Sequence, residues 1–471
     1  MDGTIGSTHW RRNLFVCLAG SFTTIVAMTM LLPYLPLYVE HLGAEGHASI
    51  VRWSGVAFAA TFLTAALTAP LWGRLGDRYG RKSMLVRASL GMSIAMALTG
   101  LAQNVEQLVL LRLLTGLLGG YSSGSVILVA AQTPKERSAW ALGVLSIGVM
   151  AGSVVGPLVG GVAPELVGVR TSFLVAGGVI FVAFLATVFG LREERPARRA
   201  RGAAAPATGT AGADAEDATA VAVTAPADAT RATAGAAGAG RSNRRRDATP
   251  SSPRPRRGPA AWGDAPARVG ILLGVASLLT FATMSLEPIV TVFVGQLDTG
   301  TRHVATLSGV VMAVGALGSI ASAPRLGRLA DRIGHARVIT GGLAGAALLF
   351  GLQAATQEVW QLVVLRFGAG VCLGGLMPAV TAAVRHAVPD AVVGRVLGLS
   401  VSAQWAGQFL GPVLGGVVAG AFGMRSVFVM TAAVLAAGAL LSRVAAPPGP
   451  KAAGGADPAP ADAGPPAART A

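Results

Sequence analysis

The stretch Gly73-Arg-Leu-Gly-Asp77-Arg-Tyr-Gly80-Arg-Lys82 occurs in a second, partial copy, and the pair decides the fold. Gly327-Arg-Leu-Ala-Asp331-Arg-Ile-Gly334-His-Ala repeats it 254 residues on. The same offset carries Gln107-Leu-Val-Leu-Leu-Arg112 into Gln361-Leu-Val-Val-Leu-Arg366. Gly152-x3-Gly156-Pro157-x2-Gly160-Gly161 returns as Gly407-x3-Gly411-Pro412-x2-Gly415-Gly416, and Arg170-Thr-Ser-Phe173 as Arg425-Ser-Val-Phe428, both 255 residues on. Four matches at a near-constant spacing mark an internal duplication. Duplicated membrane chains rock one half against the other and place their substrate site between the halves, near the bilayer midplane.

The residues around these motifs are those of a membrane protein. Of 471 residues, 52% are hydrophobic and only 13% charged, about half the charge that a water-facing globular surface carries. Apolar runs long enough to cross a bilayer as helices fall near 14–39, 51–71, 84–102, 106–130, 138–162, 171–191, 269–294, 304–325, 338–356, 359–384, 394–421 and 424–443. The runs are long and do not alternate, which selects helices over a barrel. The expected fold is an all-α polytopic membrane protein of twelve spans in two six-helix halves, 1–191 and 268–443.

Between the halves, 192–267 is rich in Ala, Gly, Pro and Arg, with thirteen arginines and eight acids. Composition predicts a disordered linker there, and likewise a disordered tail over 444–471. Arg244–Arg246 and Arg254–Arg257 could touch anionic lipid.

The net charge of +16 would suggest nucleic acid in a soluble chain. Here the basic residues cluster between the long apolar runs. Arg11 and Arg12, then Arg74, Arg78, Arg81 and Lys82, then Lys135 and Arg137, then Arg325, Arg328 and Arg332, then Arg385 all fall on one side. The opposite loops hold mainly Glu40, Glu45, Glu106, Glu165, Asp298 and Glu358, with Arg52, Arg170, Arg302 and Arg425 as exceptions. The basic side is therefore expected to be cytoplasmic, with both termini inside. The run after Trp10-Arg11-Arg12 is too long for a signal-peptide core and reads as a first span. Cys17 and Cys372 lie in apolar runs and read as core residues, and the six histidines are scattered, so neither a disulfide nor a metal site is expected. No phosphate-binding Gly-x4-Gly-Lys-Ser/Thr loop and no nucleophile–base set occurs, which argues against an ATPase or another enzyme.

The Gly-Arg-Leu-x-Asp-Arg-x-Gly segment between spans 2 and 3 resembles the signature loop of the major facilitator superfamily, and its copy lies where that family would have it. The Gly-Pro-rich span 5 resembles the antiporter motif of the drug:proton antiporter branch. Leu35-Pro-Leu-Tyr-Val-Glu-His-Leu-Gly43, Gly100-Leu-Ala-Gln-Asn104 and Trp140-Ala-Leu-Gly143 resemble multidrug efflux proteins of the MdtG type. The resemblance implies an inner-membrane secondary transporter that exports amphipathic drugs, driven by the proton gradient, without a cofactor and as a monomer. An importer or exporter of one metabolite, and a receptor that moves nothing, stay open as alternatives.

Each motif has a physical use in such a machine. Gly73, Arg74, Asp77, Arg78, Gly80, Arg81 and Lys82, with Asp331 and Arg332 in the copy, form a charge cluster that could latch the halves in one state; Asp77 could also cap a neighbouring helix. His335-Ala336 replace Arg81-Lys82 in the copy, which weakens it. Arg112 in span 4 is a costly charge inside a span, and in the resembled family the arginine at this place is tied to proton coupling; Arg366 is its counterpart. An arginine near the interface could instead snorkel. Glu287 is the one acid well inside an apolar run, and Pro288 beside it can kink span 7. It is a candidate for proton coupling or substrate binding. Gly152, Gly156, Pro157, Gly160 and Gly161 allow close helix approach. Tyr34, Tyr38, Tyr121, Gln132, Gln404, Trp405 and Gln408 are candidates for an apolar cavity with a few polar groups, each with a packing role as the alternative.

Overall fold

The computed structural model describes residues 9–193, 265–297, 303–389 and 392–445. Most of 192–267, and 446–471 of the tail, lie outside the described residues, so the expected linker and the arginine clusters within it do too.

The described residues are helical throughout, with no strand among them. In lipid the backbone has no water to bond, so each span must satisfy its own amides as a helix. Span 1 is Trp10–Thr29 followed by the short helix Leu35–His41, with a tight turn at Leu32–Tyr34 between them. Span 2 is His47–Tyr79 and span 3 Arg81–Thr99. Span 4 is Val105–Leu118 and Tyr121–Gln132; span 5 is Lys135–Val167 and span 6 Val169–Gly190. The second half repeats this order. Span 7 is Ala265–Leu286 and Val290–Leu297, span 8 Val304–Ile333 and span 9 His335–Gln353. Span 10 is Val359–Leu373 and Leu376–Ala387, span 11 Val393–Phe422 and span 12 Met424–Ala445.

The breaks obey the duplication. Spans 1 and 7 are interrupted at prolines, Pro33 and Pro288, which lack the amide that a continuing helix needs. Spans 4 and 10 are interrupted at Gly119-Gly120 and Gly374-Gly375, where Gly120 and Gly375 take φ of 98° and 79°. Spans 4 and 10 were expected to be continuous; the glycine pairs end the first helical stretch because a left-handed residue cannot extend it.

Eleven described helical spans are long and apolar enough to cross a membrane unaided. The twelfth, span 3, falls short because Arg81, Lys82 and Arg87 crowd its first two turns. It packs tightly on span 6 in the place that span 9 occupies in the other half.

One correction concerns the signature segment, which was expected to be a loop. Gly73 to Tyr79 continue the helix of span 2, and Arg81 already belongs to span 3. Gly80 alone turns the chain, with φ 96°, and Gly334 does the same with φ 95°. Both values lie where a side chain is strained, so glycine is required at each. The apolar run ends near residue 71, but helical hydrogen bonding continues to Gly80.

Candidate functional site

The halves meet where span 2 crosses span 11 and where span 5 crosses span 8. The approach is backbone to backbone. A Cβ on Gly309 would collide with the Pro157 carbonyl, and one on Gly55 with that of Pro412. Gly161 faces Ala305 and Thr306 across the interface, and Gly416 faces Val51 and Arg52. Thr306 Oγ1 donates to Gly161 O at 3.2 Å, and His303 Nδ1 lies 2.8 Å from Glu165 Oε2. All these contacts sit at the end opposite Gly80 and Gly334. Toward the Gly80 end the same helix faces are open: Gly73, Gly143 and Gly327, about five turns along from Gly55, Gly161 and Gly309, would have nothing within 4 Å of an added Cβ. The molecule is thus closed at one end and splayed at the end that carries the signature segments.

The antiporter-like glycines divide their work between two faces. Gly152, Gly156 and Gly160 recur every four residues and face span 1 at Ile25, Thr29 and Met30. Gly161, one residue round the helix, faces the other half, and the Pro157 carbonyl meets Gly309. Gly407, Gly411 and Gly415 meet span 7 in the same way at Ser277, Phe281 and Ser285.

An aromatic row crosses the interface near mid-span. The Phe58 and Phe62 rings are 5.1 Å apart, and Phe62 lies 6.3 Å from Trp405. Trp405, Gln404 and Gln408 are half-buried on span 11, and the Gln404 carbonyl accepts from Thr280 Oγ1 at 3.2 Å. Phe58 and Phe62 were not singled out in the sequence. Their spacing of four residues puts them on one helical face, but only packing shows which face.

Arg112 and Arg366 occupy matching sites in the two halves, and both are buried. Arg112 Nη2 donates to Thr99 Oγ1 at 3.1 Å, while its Nε is buried without a partner. Tyr34 and Tyr38 lie within electrostatic reach. Arg366 instead has Glu287 within reach, with its guanidinium carbon 5.7 Å from the Phe350 ring. Glu287 stands in the break of span 7, between Leu286 and Val290. Both guanidinium groups are buried among residues of their own half in this conformation.

Three cavity candidates belong to packing instead. Tyr34 and Tyr38 are wholly buried, both against Phe173, and Tyr38 donates to Thr99 O at 2.7 Å. Tyr121 is buried beside Gly20, its hydroxyl 2.9 Å from Thr187 Oγ1. A ring beside small residues in a helix bundle fills volume, which the sequence does not distinguish from lining a cavity. Gln132 is also moved from the cavity: at the Gly80 end it accepts from Asn13 Nδ2 at 2.5 Å.

At the Gly80 end the signature residues are uncovered. Arg74, Asp77 and Arg78 are exposed, and no described side chain bonds to Asp77. Asp331 lies 3.9 Å from His335 Nε2, and Arg332 is exposed. The cap on span 3 is Glu193: Arg81 N donates to its Oε1 at 2.8 Å and Lys82 N to its Oε2 at 3.0 Å. Arg81 Nη1 donates to Ile127 O at 2.7 Å. Glu193 was counted with the linker; an acid directly after the last turn of span 6 was the available signal. No cluster of His, Cys, Asp and Glu among the described residues could hold a metal ion.

Comparison with known proteins agrees with this architecture. The Major Facilitator Superfamily model matches residues 17–323 and 272–469. The chain is 36% identical over 442 residues to the Multidrug resistance protein MdtG of Dickeya zeae, covering 94% of this chain and 96% of that protein. It is 37% identical to the protein of that name from a Rahnella species, covering 79% and 78%. A crystal structure of a bacterial homolog to the human lysosomal transporter Spinster, inward-facing and occupied, superposes with a TM-score of 0.69 at 16% identity, over 93% of this chain and 97% of that one. The human organic anion transporter MFSD10 superposes with a TM-score of 0.59 at 18% identity, over 92% and 99%. With the duplicated motifs, the twelve spans and these relatives in hand, the chain belongs to the Major Facilitator Superfamily and is a multi-pass secondary transporter of small molecules.

Proposed function

We propose that the chain exports amphipathic drugs from the cell by alternating access, driven by inward proton flow. The observation that carries the coupling is Glu287, an acid in the break of span 7 within reach of the buried Arg366. Ionisable residues within membrane spans are expensive and mark substrate or proton routes. Proton binding at Glu287 removes its charge and its attraction for Arg366, so the pair has two electrostatic states that can bias the two arrangements of the halves. Phe58, Phe62, Trp405 and Gln408 offer aromatic and amide surface to an amphipathic substrate between the halves. The likeness to MdtG proteins supports export.

In this reading the basic, splayed end faces the cytoplasm, both termini are cytoplasmic and the membrane is the inner one. Asp77 and its neighbours are then a latch in its open state. The excess basic charge orients the chain and serves no nucleic acid. Both halves of the site come from one chain, so a monomer is sufficient.

The test is accumulation of a cationic dye in cells expressing the protein, with and without a protonophore. Wild type lowers dye, the protonophore restores it, and Glu287→Gln, Arg112→Ala and Asp77→Asn lose the effect. Unchanged dye with the protein confirmed in the membrane would overturn broad drug export and favour a narrow-substrate facilitator.

A further inference from the structure

Span 3 carries Arg87 about 9 Å along the helix from its start, at 1.5 Å per residue. The guanidinium carbon sits 3.5 Å from the Trp72 ring centroid, and Nη2 donates to Gly119 O at 2.9 Å. Nε and Nη1 have no hydrogen-bond partner. The three N–H bonds of these two buried nitrogens are uncompensated in a low-dielectric setting.

Arg87 lines a cleft of about 1090 Å³. Lys82 and Arg192 stand at its rim, and Val86, Leu90 and Ile94 continue along the same face of span 3. Ile94 is 48% exposed, so the apolar part of the cleft opens sideways toward lipid and not between the halves. The rim is built: Asn13 Nδ2 donates to Arg192 O at 2.8 Å, and Arg192 N donates to Asn13 Oδ1 at 3.1 Å. Glu193, the one acid in the lining, is occupied by the amides of Arg81 and Lys82. Lys82, Arg87 and Arg192 thus bring three positive charges to the cleft against the single negative charge of Glu193, whose oxygens are held by the span 3 amides.

We propose that this cleft binds one anionic phospholipid of the leaflet at the Gly80 end, its phosphate on Arg87 and Lys82 and an acyl chain along Leu90 and Ile94. Charge complementarity selects an anionic headgroup, since arginine presents paired N–H donors that match phosphate. The apolar stripe below selects an acyl chain over a soluble anion. The chain's own 192–267 segment is a poor occupant because it is itself net basic. The site also accounts for span 3 being the least apolar span: its charges meet a headgroup.

The experiment is native mass spectrometry of the purified full chain exposed to palmitoyl-oleoyl phosphatidylglycerol or to the matching phosphatidylcholine. Wild type retains one phosphatidylglycerol in preference to phosphatidylcholine. Arg87→Gln lowers retention about fivefold, the loss expected for one charge at the surface. Ile94→Trp, which keeps the charges and fills the acyl groove, lowers it as well, and decides alone if Arg87→Gln does not fold. Arg337→Gln, an exposed basic residue at the same end of the other half, leaves retention unchanged. Wild-type retention in both cleft variants, no preference between the lipids, an equal loss in Arg337→Gln, or displacement of the lipid by inorganic phosphate alone would each overturn the proposal.

Discussion

Gly309 of span 8 lies so close to the Pro157 carbonyl of span 5 that a single added Cβ would overlap it, and Gly55 bears the same relation to Pro412. These two contacts, one on each side of the pseudo-twofold axis, close the end of the molecule opposite Gly80. Gly309→Ala is therefore expected to destabilise the closed arrangement by about 1–3 kcal/mol, the usual cost of overpacking. The population shifts toward opening at that end. Cysteine labelling from that side, at a position such as Ala305 on a cysteine-free background, should rise in rate. No change in labelling would mean that the contact does not hold the gate.

The ion pair beside this contact should matter far less. His303 and Glu165 pair at 2.8 Å, but the His303 side chain is 68% exposed. Exposed pairs contribute at most about 1 kcal/mol. Glu165→Gln is expected to leave both thermal stability and gate labelling close to wild type, in contrast to Gly309→Ala. An effect as large as the glycine variant's would show that charge, and not backbone approach, closes the gate.

Arg366 and Glu287 act on each other electrostatically in the second half, the arginine buried and the acid half-buried, with no direct salt bridge between them in this conformation. Arg366→Met alone leaves the half-buried Glu287 without the one cation in its reach among the described residues, a loss of about 1–3 kcal/mol. Adding Glu287→Gln should recover most of that stability, because no uncompensated charge remains. Transport should stay lost in both. Thermal melting in detergent and dye export, measured on both single variants and the double variant, separate the two roles. A double variant no more stable than Arg366→Met would show that the two residues are not coupled.

Glu193 and Asp77 divide functions that one acid was expected to share. Glu193→Ala removes the carboxylate from the two free amides of span 3, an N-cap loss of about 0.5–2 kcal/mol. It should lower the melting temperature. Asp77 is exposed and bonded to no described side chain, so Asp77→Asn should leave melting unchanged while impairing export. Equal melting of the two variants would place the cap elsewhere.

Much of this protein is written in local sequence. The apolar runs give the spans because backbone amides in lipid have only the helix to satisfy them. The 254-residue repeat gives two halves, and Pro288 announces the break in span 7. The signature segment read as a loop; only the structure shows the helices running to Gly80 and Gly334, where φ near 95° turns the chain at a single residue. Arg112, Arg366 and Glu287 stand out as charges in apolar runs.

What tertiary structure alone decided is the direction in which side chains point and what they meet. Tyr34, Tyr38 and Tyr121 are core and Trp405 faces the interface, yet as single letters in apolar helices all four look alike. The split of the span 5 glycines between span 1 and the opposite half also appears only on packing, because a helix turns about 100° per residue and Gly160 and Gly161 therefore see different neighbours. Span 3 reads as the weakest span by composition, and only its cleft shows where the charges go. Sequence determines which segments must cross the membrane, a local matter of hydrogen bonds and hydropathy. Which faces meet, and which end of the bundle closes, depends on contacts between residues more than 100 positions apart, such as Gly161 and Thr306, that no local property encodes.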